Sequence, residues 1–298
     1  MRLLRYLIVS GSAAAIAGAV TLSGATATGV AAPARANHTP SARFLAEART
    51  ALAHYLRHNH PQAMLAHTRR AQAVKNVTAT SAFNWSGYAN TGTKAQTFTK
   101  VSGSWTVPSV TCSAEDQITS DWVGLDGFNS STVEQLGTTS WCYKGKPVYY
   151  TWYEIYPKGA HQMSTAIKPG DKITASVTRT GTSYAFKLTD STTTGNNFSV
   201  TKTCALATCK DTSAEWISER PGFSDSSANF LGFAPQAHYN AFKLTSGAQT
   251  SSGKSGTIGS GPGVHAITMI DDTQTYNLNT VSTLTGGNSF STTWANSF

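Results

Sequence analysis

Two short runs place carboxylates among apolar and aromatic neighbours: Trp152-Tyr153-Glu154-Ile155-Tyr156-Pro157 and Ala214-Glu215-Trp216-Ile217-Ser218-Glu219. If each run is a strand, alternation puts Trp152, Glu154 and Tyr156 on one face, and likewise Glu215, Ile217 and Glu219. A carboxyl beside aromatic rings on a sheet face is partly desolvated, which raises its pKa and readies it for proton transfer. The plainer alternative is the solvated outer face of an amphipathic strand. Other hydrolytic chemistries lack their residues. No Gly-x-Ser-x-Gly run is present, and beyond residue 80 only His161, His238 and His265 are available to serve a nucleophile. The remaining histidines, His38, His54, His58, His60 and His67, fall at spacings that match no ligand motif. No metal or other cofactor is expected.

Acid–base residues stand out because charge is scarce. Only 13% of the 298 residues are Asp, Glu, Lys or Arg, about half the usual share. The formal net charge of +8 is confined to the first 80 residues. Residues 1–36 carry Arg2, Arg5 and Arg35 with no acid, and residues 37–80 carry Arg43, Arg49, Arg57, Arg69, Arg70 and Lys75 against Glu47. The remaining 218 residues balance 14 basic against 14 acidic side chains, so a basic nucleic-acid-binding body is excluded on charge.

The elements that must position these carboxylates follow from periodicity. From residue 81 onward, runs such as 100–107, 148–156, 172–177 and 184–188 are rich in β-branched and aromatic residues. Turn signals separate them, among them Lys168-Pro169-Gly170-Asp171, Arg179-Thr180-Gly181-Thr182, Thr194-Gly195-Asn196-Asn197 and Gly286-Gly287-Asn288. No helical period follows residue 80. The reading is an all-β domain over 81–298, an antiparallel two-sheet sandwich of the jelly-roll or concanavalin-like kind.

The N-terminal 80 residues read differently. A basic start, the apolar stretch Tyr6–Val20 and small-residue sites at Ala25-Thr26-Ala27 and Ala34-Arg35-Ala36 predict a secretory signal over 1–36. The mature protein is then expected to be extracellular, monomeric and free of the membrane. Residues 37–80 read as a basic, His-rich pro-segment whose helix starts at Thr39-Pro40 and repeats Phe44, Ala48, Leu52 and Tyr55 or Leu56. Export makes two disulfides the natural reading of Cys112, Cys142, Cys204 and Cys209. Of three connectivities, the short Cys204–Cys209 spacing favours a pinned hairpin loop, which leaves Cys112 with Cys142.

In order along the chain stand Asn84-Trp85-Ser86-Gly87-Tyr88, Gly103-Ser104-Trp105-Thr106-Val107-Pro108, Trp122-Val123-Gly124-Leu125-Asp126-Gly127, Gln135-Leu136-Gly137-Thr138, the Trp152 run, Gly170-Asp171 and the Ala214 run. Together these resemble the glutamic peptidase family, the eqolisins, from Asn84 onward. The resemblance implies an acid endopeptidase that acts on polypeptides through a Gln/Glu dyad, with Gln135 and Glu219 in those roles. It also implies that Trp85, Trp122, Asp126 and Glu154 line the cleft and that 156–163 forms a mobile flap. Three features depart from the family pattern: Tyr150 stands where an Asp precedes the Trp-Tyr-Glu, the flap is basic at Lys158 and His161, and the cysteines do not align cleanly with those of the family. The pro-segment is expected to act as an intramolecular inhibitor, its positive charge held by cleft carboxylates. Two other functions fit the residues less well. A lectin-like module would use Trp105, Trp122 and Trp152 as sugar platforms, and a glycoside hydrolase would pair Glu154 with Glu219.

Overall fold

A computed structural model describes residues 41–56, 59–60, 64–65, 73–74, 76–113, 116–224 and 230–296. The expected leader at 1–36 and the expected helix start at Thr39-Pro40 lie outside them. One helix, α1 (Ala42–Leu56), is followed by strands. The first are β1 (Asn59–His60), β2 (Ala73–Val74), β3 (Val77–Ala82), β4 (Trp85–Thr91), β5 (Phe98–Thr106), β6 (Val110–Thr111) and β7 (Ile118–Leu125). Next come β8 (Val133–Tyr143), β9 (Lys146–Tyr156), β10 (His161–Gln162), β11 (Lys172–Thr180), β12 (Ser183–Asp190), β13 (Asn197–Thr203) and β14 (Ser213–Glu219). The last are β15 (Gly222–Ser224), β16 (Phe230–Phe233), β17 (His238–Tyr239), β18 (Phe242–Ser251), β19 (Lys254–Thr257), β20 (Val264–Ile270), β21 (Asn277–Val281) and β22 (Phe290–Trp294).

The expected helix is present, but a different residue caps it. Ser41 Oγ accepts the backbone N–H of Phe44 at 3.2 Å, the bond an N-cap serine makes to the third helical residue. The stretch between α1 and β3 contributes the short β1 and β2.

One sheet runs β20-β4-β14-β7-β8-β9-β10 and the other β18-β5-β11-β12-β13. The strands β21 and β22 link the two along one edge. All these pairs are antiparallel, as the periodicity predicts. The exception is β3, which lies parallel to β20 from Val77↔Val264 to Met269↔Ala82 and straddles the expected domain boundary at residue 81. Turn chemistry matches the sequence signals, with Gly170, Gly181, Gly195, Gly286 and Gly287 all at positive φ.

Between the sheets, Trp216, Val123, Leu125, Leu136, Tyr153, Tyr184 and Phe186 belong to one buried cluster. Trp216 also donates its indole N–H to the Ser102 carbonyl at 2.8 Å, which pins the strand carrying Glu215 and Glu219 to the second sheet. The opposite face of the first sheet carries a second cluster built on Trp85, Trp122, Trp141, Tyr150, Trp152 and Ile217. Every residue of β7 and of β14 is buried, so the first sheet is covered on both faces.

The disulfides are Cys112–Cys142 and Cys204–Cys209, the favoured pairing. They close loops with sequence separations of 30 and 5 residues. Chain-entropy arguments scale with loop length, giving about 3–4 kcal/mol for the first and about 2 kcal/mol for the second. Chemical denaturation of Cys112→Ser/Cys142→Ser and Cys204→Ser/Cys209→Ser variants should show the larger loss for the first.

Candidate active site

The ladder register sets out the covered face of the first sheet as rows across β4, β14, β7, β8 and β9. Trp85, Glu219, Ser120, Thr139 and Tyr150 form one row; Gly87, Ile217, Trp122, Gly137 and Trp152 the next; Ala89, Glu215, Gly124, Gln135 and Glu154 the third. Gln135 and Glu219 therefore share a face, two strands apart and two rows apart, with Trp122 on the diagonal between them.

Glycine makes that diagonal possible. A Cβ on Gly137 would stand 2.3 Å from the Asp121 carbonyl and 2.5 Å from Trp122 Cβ, and one on Gly124 would stand 2.9 Å from Trp122 Cζ3 and 3.0 Å from Gln135 Cβ. Gly137 leaves room for the Trp122 Cβ, and the indole ring lies over Gly124. Its Nε1 donates to Glu219 Oε2 at 2.7 Å, and its ring meets that of Trp85 edge-on, with centroids 4.9 Å apart. At the other end of the diagonal, Gln135 Nε2 donates to Glu154 Oε2 at 2.8 Å. The amide oxygen of Gln135 and the second carboxyl oxygens of Glu154 and Glu219 (each Oε1) are buried without a protein hydrogen-bond partner. Such acceptors suit a bound water or a peptide N–H. Thr139 anchors the neighbouring aromatic, accepting from Trp152 Nε1 at 2.9 Å.

Burial governs the charge state. Desolvation holds the Glu219 carboxyl well above the usual range, opposed by the Trp122 hydrogen bond, and the nearby Glu154 adds to the rise. Desolvation also lifts Glu154 to about 8, opposed by the Gln135 bond, and Asp121 to about 7.

Asp126, expected in the cleft, belongs elsewhere. It leaves β7 at φ 65° and accepts from the backbone N–H of Asp211 at 2.7 Å and of Thr212 at 2.8 Å. Both its oxygens are used in tying β7 to the segment that enters β14. Asp126, Glu134 and Asp211 place oxygens within 4.8 Å of one another, in the shape of a cation site, but the donors already present do not fit one. Asp126 is filled by N–H and O–H groups. Asp211 accepts from Tyr184 at 3.0 Å and lies 2.8 Å from the Arg179 guanidinium. Desolvation raises Asp211 to about 7 and holds Glu134 and Glu215 well above the usual range. Asp126 and Asp211 are thus committed to N–H, O–H and guanidinium donors, and the group does not form a ligand set. The period-two pattern carries no signal for it, because its members come from three separate chain segments.

The N-terminal segment lies on the same face as the dyad candidates. Ala48 of α1 is buried in the cluster of Trp85, Trp122, Trp141 and Trp152, with Phe44 and Ala51 packed against it. Phe44 meets the Tyr143 ring at 5.5 Å. The ion pair here runs opposite to expectation: Glu47 of α1 reaches Lys144 at 3.0 Å. Among the described residues, no basic side chain of the segment pairs with a cleft carboxylate. Further along, Met64 donates its N–H to Asn84 Oδ1 at 2.9 Å and accepts from the Phe83 N–H at 2.8 Å.

Residues 83–294 match the model of the Peptidase A4 family. The chain belongs to that family. Similar proteins include Aspergillopepsin-2 of Aspergillus niger, 33% identical over 191 residues, which are 56% of this chain and 66% of that protein, just under two thirds of its length. Among solved structures, scytalido-glutamic peptidase with a peptide-based transition-state analogue aligns at TM-score 0.61 and 27% identity, covering 71% of this chain and 98% of that one. SCP-B, described as a member of the eqolisin family and bound to the tripeptide Ala-Ile-His, aligns at TM-score 0.58 and 26% identity over the same shares. The expected family and sandwich fold are those of this A4-family chain.

The buried carboxyls hold their protons more tightly in the folded than in the unfolded A4-family chain. Their contribution to stability is full below the unfolded values near pH 4 and is lost as pH rises through the folded values near 7 to 8. Asp271 acts in the opposite sense. Burial opposes its ionisation, but hydrogen bonds from Thr273, Tyr276 and Thr275 prevail and hold it near 2, so its contribution is lost only in stronger acid. Calorimetry at fixed ionic strength should find the melting temperature highest near pH 4 and lower by roughly 10 °C or more at pH 8.

Proposed function

We propose that this protein is a secreted acid endopeptidase whose dyad is Gln135 and Glu219, made as an inactive precursor. The observation that carries the reading is the diagonal Glu219–Trp122–Gln135–Glu154: a carboxyl and a primary amide, each oriented by a dedicated partner, on one buried face of an A4-family domain. Ionised Glu219 takes a proton from water as the water attacks the scissile carbonyl carbon, then returns it to the leaving amine. Gln135 has one N–H on Glu154. Its second N–H is free for the oxyanion of the tetrahedral intermediate, and its Oε1 for the attacking water. Trp122 fixes which Glu219 oxygen faces the water. Trp85 walls the same side.

Glu154 accepts from Gln135, which gives it an orienting task. That leaves the glycoside hydrolase reading, in which Glu154 would be one of two acid–base carboxyls, without support. The lectin-like reading likewise has no use for an oriented amide.

In the precursor, residues 37–80 inhibit in two ways. They pack on the dyad face, and by excluding water they keep Glu219 protonated, so the general base is absent. Leaving the face restores solvent and lowers that pKa. Glu47 pairs with Lys144, so protonating Glu47 in acid loosens one anchor of the segment. The pair is exposed to solvent and is a weak anchor.

Purified precursor incubated near pH 4 should process itself and digest denatured casein. Glu219→Gln should abolish both, and Gln135→Ala should cut kcat by about 10²–10³ with a smaller change in KM. Persistence of casein digestion in Glu219→Gln, read by mass spectrometry of the fragments, would overturn the mechanism.

A further inference from the structure

We infer that the edge of β15 is the place where an extended substrate peptide joins the enzyme as an added strand, and that β1 of the N-terminal segment occupies this place in the precursor. The inference rests on the peptidase reading and adds how the substrate backbone is held.

Three observations carry it. The first is position. Gly222 lies three residues after Glu219, and the link between them is fixed at each residue. Arg220 N–H donates to the Asn84 carbonyl at 2.9 Å, and the Pro221 carbonyl accepts from Ala234 N–H at 2.9 Å. The Arg220 side chain is buried, donating to the Phe83 carbonyl at 2.6 Å and lying 4.5 Å from the centre of the Phe233 ring. The β15 backbone is thus held in a set relation to the proposed general base.

The second is pairing. β15 is hydrogen-bonded to β16 on one side and, on the other, to β1 in the register Asn59↔Phe223 and His60↔Gly222. These three strands make a sheet of their own, separate from the two large sheets. Departure of the N-terminal segment therefore converts Gly222–Ser224 into an open sheet edge beside Glu219. A peptide in β conformation satisfies such an edge with main-chain bonds alone.

The third is the path. Beyond β1 the segment reaches Met64, whose N–H and C=O bond to Asn84 and Phe83. Asn84 precedes Trp85, the residue registered opposite Glu219 on β4. The segment thus makes hydrogen bonds at β15 and at Phe83–Asn84, both just beyond the Glu219 end of β14. Main-chain pairing is tolerant of sequence, so the partner is an unfolded polypeptide.

Acid-processed protein should be assayed with a ten-residue peptide substrate and with variants in which each backbone N–H in turn is N-methylated. In an antiparallel ladder only every second N–H points to the partner strand. The expected result is a loss of about tenfold or more in kcat/KM at alternate positions on one side of the scissile bond, carried by KM with kcat within about twofold. A scan without such alternation overturns the proposal. Hydrogen exchange gives a second reading. Among the amides of 222–224, those that face β1 should be protected in the precursor, exposed after processing, and protected again by a non-cleavable reduced-amide peptide. Failure of that peptide to restore protection overturns the proposal as well. If processed protein cleaves no peptide at all, it is the peptidase reading that fails.

Discussion

The Trp122 indole is the part on which the rest of the active face depends. Two glycines make room for it: a methyl group at Gly124 would collide with the ring, and one at Gly137 with the Trp122 Cβ and the Asp121 carbonyl. Seated there, it separates Gln135 from Glu219 by a fixed span and commits one Glu219 oxygen to its own N–H. No side chain that rotates freely could hold a carboxyl in one orientation inside a region so poor in water. The strands on either side serve this seat. β14 is fixed from behind by Trp216, and β7 is fixed at its end by Asp126, whose two oxygens grip Asp211 and Thr212.

The second constraint is the cost of burying carboxylate charge. Asp121, Glu134, Glu154, Asp211, Glu215 and Glu219 are all essentially inaccessible, with Arg179 the one guanidinium among the described residues that meets this set. As neutral acids these groups donate as well as accept and can share hydrogen bonds. As anions they would repel one another across a few ångströms. The low overall charge of the chain belongs to the same design, since it limits the positive charge that accumulates in acid.

Much of this was legible in the sequence. Strands β5, β9, β11, β12 and β14 follow from period-two alternation, and the dyad candidates follow from ordered motifs whose spacing matches the register. The disulfide pairing follows from one short spacing. What was not legible depends on contacts between distant segments. Asp126 sits in a run that reads as cleft-lining, yet its partners lie 85 and 86 residues away. Ser41 and Thr39 offer the same local capping signal, and only the bond to Phe44 identifies Ser41. The Val77–Ala82 strand carries too few large apolar residues to announce itself, because its support comes from the backbone of β20. The direction of the Glu47–Lys144 pair was hidden in a segment whose net charge suggested the reverse.

The β3–β20 pairing also limits how far the chain can be trimmed from its N-terminus. Six consecutive residues, Val77 to Ala82, are paired along β20 at the margin of the first sheet. A protease needs its target extended and free of other partners, so degradation that proceeds inward from the N-terminus meets a backbone already engaged. The fold itself thus acts as a ruler. Trimming from the N-terminus would therefore stall near residue 76, where the ladder begins.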